Sequence, residues 1–198
     1  KGAQWTFHPE DAQALVRPET KVLVVNFPHN PTGATMPEGS FRWLVEWASG
    51  RGITVFSDEM YRFLEPEGSP TLPAACDIAE DAVSLGGVSK SLSLPGARMG
   101  WLATRNHDIL QKAATFKDYT SICSSAPSER LAIIALKARE RIWQRNRHII
   151  AQNREVLDDF FARYPGLFRW LPPQAGPVAF PELLADMPVD KLAKQLVA

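Results

Sequence analysis

The chain has 198 residues, of which 45% are hydrophobic and 22% charged, a composition typical of globular proteins. Its 22 basic and 22 acidic residues cancel, so bulk charge gives no reason to expect binding to nucleic acid or to an anionic membrane. No apolar run approaches the ~20 residues that a membrane-spanning helix needs. Two cysteines, Cys76 and Cys123, are too few for a disulfide framework or a zinc site, so we expect reduced thiols, no metal and a cytoplasmic location.

The first half of the chain alternates short apolar runs with an amphipathic stretch. Short apolar runs predict strands at residues 22–27, 53–57, 82–85 and 98–104, and the first of them is rich in β-branched residues. Residues 37–50 carry apolar side chains at helical spacing between a proline and two glycines, which predicts a helix. Strand, helix and strand at this spacing indicate βαβ units. We therefore predict an α/β fold of three layers, with a mostly parallel sheet between helices on both faces.

The second half is predicted to be mainly helical. Residues 107–117 form one candidate helix, and residues 128–163 form a long one with Ser128 as a possible N-cap. A stripe of arginines along the long helix is interpreted as a solvated face. Residues 168–180 are rich in proline and suggest an edge hairpin, and residues 189–197 open a further helix.

A change of domain is expected within or just after the long helix. Residues 1–140 would form part of a large domain, and residues 141–198 the connecting helix and the start of a smaller α+β domain. The chain begins with Lys1 rather than methionine and ends inside a predicted helix, so we expect a fragment that lacks both ends.

Polar residues follow the predicted strands, at the edge of a parallel sheet where ligands usually bind. Asn30 comes after the first strand, Asp58 after the second, and Ser89 with Lys90 after the third. Each has an ordinary explanation when taken alone: Asn-Pro-Thr-Gly is a turn sequence, an aspartate after a strand commonly caps a helix, and most lysines are solvated. Their order and spacing are more informative than any one of them.

Three segments together resemble a known family. They are residues 30–33 (Asn-Pro-Thr-Gly), residues 57–61 (Ser-Asp-Glu-Met-Tyr) and residues 87–90 (Gly-Val-Ser-Lys), the last followed eight residues later by Arg98. They are similar to the signature segments of the fold-type-I enzymes that use pyridoxal 5′-phosphate (PLP), specifically the class I/II aminotransferases. The resemblance is strong over residues 22–102 and weaker from there to about residue 180.

The resemblance implies a PLP-dependent aminotransferase that acts on an α-amino acid and a 2-oxo acid, in a homodimer with sites at the interface. It also implies a set of roles: Lys90 binds the cofactor aldehyde as a Schiff base, Asp58 pairs with the pyridine nitrogen, Asn30 and Tyr61 hydrogen-bond the phenolic oxygen, and Ser89 and Arg98 hold the phosphate.

These residue types suit that chemistry. Breaking a bond at the α-carbon of an amino acid leaves a carbanion, whose charge the protonated pyridine ring accepts. The carboxylate of Asp58 would keep the ring nitrogen protonated, because an opposite charge nearby favours the charged form. The freed amine of Lys90 would carry a proton to and from the substrate. Arg98 offers a fork-shaped cation for a phosphate dianion.

The sequence also departs from the family pattern. Many relatives carry a hydroxyl residue three positions before the lysine, where this chain has Gly87, so one phosphate contact is in doubt. No ring-stacking aromatic residue is recognisable before Asn30, since Trp5 and Phe7 lie too close to the first strand. The arginine that grips the substrate carboxylate would fall beyond the last residue. We therefore expect the fragment alone to have weak activity or none. The loop at residues 117–129 has two interpretations: it faces the site or a partner subunit, or it simply connects two helices.

Three other functions are compatible with parts of this pattern. A PLP-dependent lyase, decarboxylase or cyclase would use the same fold and the same lysine. A non-catalytic regulatory module could bind PLP or an adduct of it. A Rossmann-type nucleotide-binding protein would share the fold class, but no glycine-rich turn follows any of the predicted strands. The sequence does not identify the amino-acid substrate.

Overall fold

A computed structural model describes residues 4–197 of the chain. Its main sheet has four strands: β1 (Val22–Asn26), β2 (Thr54–Asp58), β3 (Val83–Gly87) and β4 (Gly100–Ala103). Two short strands form a second sheet: β5 (Phe168–Arg169) and β6 (Glu182–Leu183). The helices are α1 (Pro9–Leu15), α2 (Glu38–Ser49), α3 (Ala75–Ile78), α4 (His107–Thr120), α5 (Ala126–Lys137), α6 (Arg139–Ala162) and α7 (Val189–Leu196).

The main sheet has the order β1-β2-β3-β4, and this order positions the candidate site residues. β1, β2 and β3 are parallel, and β4 runs antiparallel to β3. The carboxyl ends of the three parallel strands therefore lie at one edge of the sheet. β4 begins at the same edge, because its first residue, Gly100, pairs with the last residue of β3, Gly87. The predicted α/β fold with a mostly parallel sheet is confirmed.

Helix α2 covers one face of the sheet and forms most of its core. Four almost completely buried apolar side chains repeat at helical spacing along α2: Phe41, Leu44, Val45 and Ala48. They pack in one cluster with Val25 of β1 and Val55 of β2. A second apolar cluster joins the segment after β3 to the helices α5 and α6 through Val88, Leu92 and Trp143. The opposite face of β1 is open within residues 4–197, since Val22 and Val24 are 52% and 67% exposed.

The predicted long helix is two helices. The chain leaves helical geometry at Ala138 (φ −97°, ψ 10°), and α5 already begins at Ala126, so Ser128 is not its N-cap. Pro127 explains the early start, because proline is favoured in the first turn of a helix. No glycine or proline marks the break at Ala138, so the sequence carried no signal for it. The predicted domain boundary after residue 140 falls in the first turn of α6 and stays a prediction.

The predicted hairpin at residues 168–180 was wrong in its second strand. β5 pairs antiparallel with β6 at residues 182–183, and both lie outside the main sheet. Pro172, Pro173 and Pro177 have no N–H to donate to a strand ladder, which keeps the intervening residues irregular.

Among the described helices, none combines the length and the apolar character needed to cross a membrane.

Candidate active site

The carboxyl end of β2 is aligned with its neighbours on both sides. Asp58 is the last residue of β2, one position further into the strand than predicted, and pairs with Asn26 of β1 and Leu85 of β3. Because register partners in a sheet point to the same face, these three side chains share one face. The backbone N–H of Met60 donates to Oδ1 of the Asp58 carboxylate at 3.1 Å. This bond fixes one carboxylate oxygen and leaves the other available.

The Asn-Pro-Thr-Gly turn presents Asn30 beside this edge. The backbone N–H of Gly33 donates to the carbonyl of His29 at 2.7 Å, and the side chains of His29 and Thr32 are hydrogen-bonded at 2.7 Å. These bonds close the turn on itself. The Asn30 amide then reaches across to Tyr61, donating from Nδ2 to the phenol oxygen at 3.4 Å.

Tyr61 connects Asn30 to Lys90. The Tyr61 residue is only 6% exposed, so its ring is held firmly in the turn that follows β2. The Lys90 Nζ lies 5.8 Å from the centroid of this ring. An amide donor, a phenol and a primary amine from three separate segments therefore meet at the carboxyl edge of the sheet, next to the strand that ends in Asp58.

Ser89 and Arg98 flank the junction between β3 and β4. The backbone N–H of Val88 donates to the carbonyl of Met99 at 3.1 Å, which holds the two segments side by side. Arg98 adopts the left-handed conformation (φ 52°) and donates from Nη1 to the carbonyl of Pro95 at 3.1 Å. Within residues 4–197, hydrogen bonds and close ring contacts join Asn30, Tyr61 and Lys90, but none joins the Ser89 or Arg98 side chain to that group.

The donor set fits PLP. It combines a carboxylate for a pyridinium nitrogen, two donors for a phenolic oxygen, an amine for an aldehyde and a guanidinium with a hydroxyl for a phosphate. In the described part of the chain, neither Lys90 nor Arg98 takes part in an ion pair, so both cations are available to a ligand.

Gly87, the departure from the family pattern, has a structural explanation. A Cβ atom at this position would lie 3.0 Å from Cε of Met60 and 3.0 Å from the carbonyl oxygen of Met99. Met60 therefore fills the space that a side chain at position 87 would take. A hydroxyl side chain at position 87 would crowd Met60, so the two residues are structurally coupled. The sequence alone did not connect these two positions.

Asn26 is a site residue that the sequence reasoning missed. Its Nδ2 donates to the carbonyl of Asp58 at 3.0 Å, and its Oδ1 accepts the backbone N–H of Asn30 at 2.8 Å. One side chain thus fixes the spacing between the ends of two segments that carry predicted site residues. The available signal was a polar residue at the end of an apolar strand.

Residues 173–176 lie against the site, although they are far from it in sequence. The backbone N–H groups of Gln174 and Ala175 both donate to the carbonyl of Gly33 at 2.9 Å, and that of Gly176 donates to Leu64 at 3.1 Å. The Gln174 side chain accepts from the Thr35 N–H and donates to the carbonyl of Trp5. The C-terminal part of the chain therefore packs on the Asn-Pro-Thr-Gly turn.

Two aromatic residues near the start of the described chain pack against other aromatic rings. The Trp5 ring packs against Phe180 at 6.1 Å between centroids, and the Phe7 ring packs edge-on against Phe27 at 5.7 Å. The expectation that neither ring stacks on a cofactor stays a prediction.

A cleft of about 520 Å³ opens between residues 64–67, residues 141–154 of α6 and residues 173–176. Arginines of the stripe on α6 line it, including Arg141 and Arg145, so that stripe borders a cavity as well as solvent. Glu65 also lines the cleft and is buried. Burial raises the pKa of the Glu65 carboxyl, although the hydroxyl of Thr71 donates to it at 3.1 Å.

Comparison with known proteins gives the family. The family model for "Aminotransferase class I and II" matches residues 2–198. Capreomycidine synthase of Streptomyces vinaceus is 28% identical over 98% of this chain and 51% of its own length. A solved PLP-dependent aminotransferase from Streptococcus suis is 33% identical, with a TM-score of 0.88, over 98% of this chain and 50% of that one. The solved PLP-dependent cyclase OrfR is 27% identical, with a TM-score of 0.83, over 96% of this chain and 50% of that one.

The chain spans about half the length of these relatives. The family and the solved relatives indicate pyridoxal phosphate as the cofactor, in agreement with the donor set at the carboxyl edge of the sheet. The family model covers nearly the whole chain, and the fold and the candidate site agree with it. This chain belongs to the class I and II aminotransferase family.

Proposed function

We propose that the polypeptide containing this chain is a PLP-dependent aminotransferase that moves an amino group between an α-amino acid and a 2-oxo acid. The observation that carries this proposal is the meeting of Asn30, Tyr61 and Lys90 at the sheet edge where β2 ends in Asp58. The family match and the Streptococcus suis structure support the same reaction class.

Each of the proposed site residues has a task in this reaction, and Lys90 has two. When bound, PLP supplies an electron sink for charge developing at the α-carbon of the substrate. Asp58 would keep the pyridine nitrogen protonated through its available carboxylate oxygen. Asn30 and Tyr61 would donate to the phenolic oxygen, and Ser89 and Arg98 would hold the phosphate. The Nζ of Lys90 would hold the cofactor aldehyde and, once the amine of the substrate has displaced it, would accept a proton from the α-carbon of the substrate.

The first test is an absorbance spectrum of the polypeptide with added PLP. We expect a band near ~420 nm that Lys90→Ala abolishes, because the band requires covalent attachment of the cofactor to an amine. Lys112→Ala is the matched control, since Lys112 is exposed and pairs with Asp108 on helix α4. If Lys90→Ala keeps both the band and full turnover, the proposed role of this lysine is wrong.

A cyclase is the second candidate. Capreomycidine synthase and the cyclase OrfR each match nearly the whole chain. The same fold therefore occurs in relatives that are not named aminotransferases. Mixing the PLP-bound polypeptide with an amino acid and no oxo acid separates the two. A stoichiometric shift of the cofactor to its pyridoxamine form supports transamination, whereas an unchanged cofactor with a cyclised product supports a cyclase. Binding without any product would favour a regulatory module.

We also propose a homodimer in the cytoplasm. Helix α4 and the turn after it carry large apolar side chains that contact little of the described chain, among them Tyr119 at 89% and Ile122 at 73% exposure. Such a surface suits a second subunit, in line with the interpretation that residues 117–129 face a partner. Both cysteines are free thiols, as expected in a reducing compartment. Light scattering after size-exclusion chromatography tests the dimer.

A further inference from the structure

Asn146 is a buried polar residue in the second turn of α6, and the proposed mechanism gives it no task. It is 8% exposed. Its Nδ2 donates to the carbonyl oxygen of Ser91 at 2.9 Å and lies 2.8 Å from the hydroxyl of Ser93, whose oxygen lies 3.1 Å from Asn146 Oδ1. Both serines belong to the segment that immediately follows Lys90. One amide on the long helix therefore holds a loop 53 to 55 residues away in sequence.

The loop that Asn146 holds is a tight turn in an unusual conformation. The backbone N–H of Ser93 donates to the carbonyl of Lys90 at 3.1 Å, and the N–H of Leu94 donates to the carbonyl of Val88 at 3.0 Å. Ser93 has φ 56°, in the left-handed region that residues with a side chain rarely adopt. Such a conformation persists only where its surroundings stabilise it, and Asn146 supplies that support through the Ser93 hydroxyl.

We propose that Asn146 is a positioning residue for Lys90. It fixes the carbonyl of Ser91 and the left-handed turn at Ser93, and so holds the Lys90 backbone where its Nζ can meet the cofactor aldehyde. This inference rests on the proposed function, because it assumes that Lys90 is the reacting amine. Its physical basis is that a reacting group held in place reacts faster than the same group on a mobile loop.

A purely structural role is the competing explanation. Asn146 lies near the apolar cluster of Val88, Leu92 and Trp143, and its loss would leave the buried carbonyl of Ser91 without a donor. Lower stability of a variant would therefore not separate the two explanations. The separating measurement must report on Lys90 itself.

The experiment compares Asn146→Leu with the matched control Asn153→Leu, which lies two turns further along α6 and is exposed. Apoprotein of each variant is mixed with saturating PLP well below its melting temperature, and the rate of appearance of the band near ~420 nm is followed. We expect about a tenfold slower rate for Asn146→Leu, within the roughly 10²-fold loss that misplacement of a reacting group can cause. Asn153→Leu should match the wild type.

A double-mutant cycle identifies the path of the effect. PLP affinity is measured for Asn146→Leu both with Lys90 present and in a Lys90→Ala background. We expect Asn146→Leu to weaken PLP binding when Lys90 is present. If Asn146 acts through Lys90, this loss of affinity disappears in the Lys90→Ala background. An equal loss in both backgrounds, or a rate for Asn146→Leu within twofold of the wild type, would overturn the inference.

Ser93→Ala is the second variant if Asn146→Leu does not fold. It removes the hydroxyl contact and keeps the bond between Asn146 and the Ser91 carbonyl, so we expect a smaller slowing, about two- to fivefold. An unchanged rate in Ser93→Ala would count against the inference. Absence of the ~420 nm band in the wild type would instead refute the proposed function, and the two failures are thus distinguishable.

Discussion

Gly33 shows how much of this site depends on one residue. It has φ 66°, in the left-handed region, and a Cβ atom on it would lie 2.3 Å from Cβ of Pro173. Its carbonyl accepts the two backbone N–H groups that tie residues 174 and 175 to the turn. The Asn-Pro-Thr-Gly sequence predicted a turn. The contact of Gly33 with Pro173, 140 residues further along, was not predictable from the turn itself.

We predict that Gly33→Ala destabilises the protein by about 1–3 kcal/mol, because the new methyl group both strains the backbone and collides with Pro173. Urea unfolding measures the change. Gly39→Ala is the control: Gly39 lies in α2 with nothing within 4 Å of its Cβ position, so alanine there should stabilise the protein by about 0.5–1 kcal/mol. Equal effects at both positions would contradict this account.

At the scale of the elements, strong periodicity predicted the helices and strands, and local signals predicted their ends less well. The spacing of Phe41, Leu44, Val45 and Ala48 gave α2 within one residue at each end. The segment of residues 107–117 was found, but α4 continues to Thr120. The predicted start of α4 at residue 107 was exact to the residue, and Asn106 occupies the N-cap position.

Helix caps can therefore be tested in pairs. The Asn106 side chain accepts from the backbone N–H groups of Asp108 and Ile109, both at 3.1 Å, and caps α4. Asn106→Ala should lower the free energy of unfolding by about 1 kcal/mol, because two N–H groups lose their acceptor. Ser125 occupies the N-cap position of α5 without a side-chain bond, so Ser125→Ala should change stability much less. Thermal unfolding of the two variants gives the comparison, and a larger loss from Ser125→Ala would be inconsistent with it.

At the scale of the whole molecule, the net charge is zero, but the buried carboxyl of Glu65 lowers the stability of the fold when it is ionised. Burial raises the pKa of Glu65 above its ordinary 4.5. The folded protein therefore holds a proton at a pH where the unfolded chain has released it. By linkage, stability is lost as the pH rises from about 4.5 through the higher pKa of the folded state.

Glu65→Gln removes this charge and keeps an oxygen that accepts from Thr71. The variant should melt at a higher temperature than the wild type at pH 7, and the difference should shrink toward zero as the pH falls to about 4. Calorimetry at both pH values measures it. Glu67→Gln is the control, since Glu67 is exposed on the same loop and should show no such pH-dependent gain. A gain from Glu65→Gln that is the same at both pH values would exclude the titration of this carboxyl as its cause.

The α/β class, the four strands of the main sheet and the order of the residues at its carboxyl edge could all be predicted from the sequence. Hydrophobic periodicity and short turn motifs are local, so a single chain displays them directly. The fit of Met60 against Gly87, the bridge that Asn26 makes and the contact of Asn146 with the lysine loop became visible only in the folded chain. Each of these joins segments distant in sequence, and such contacts depend on how the chain packs rather than on the pattern within any one segment. The break at Ala138 was also absent from the sequence pattern, because no glycine or proline marks it.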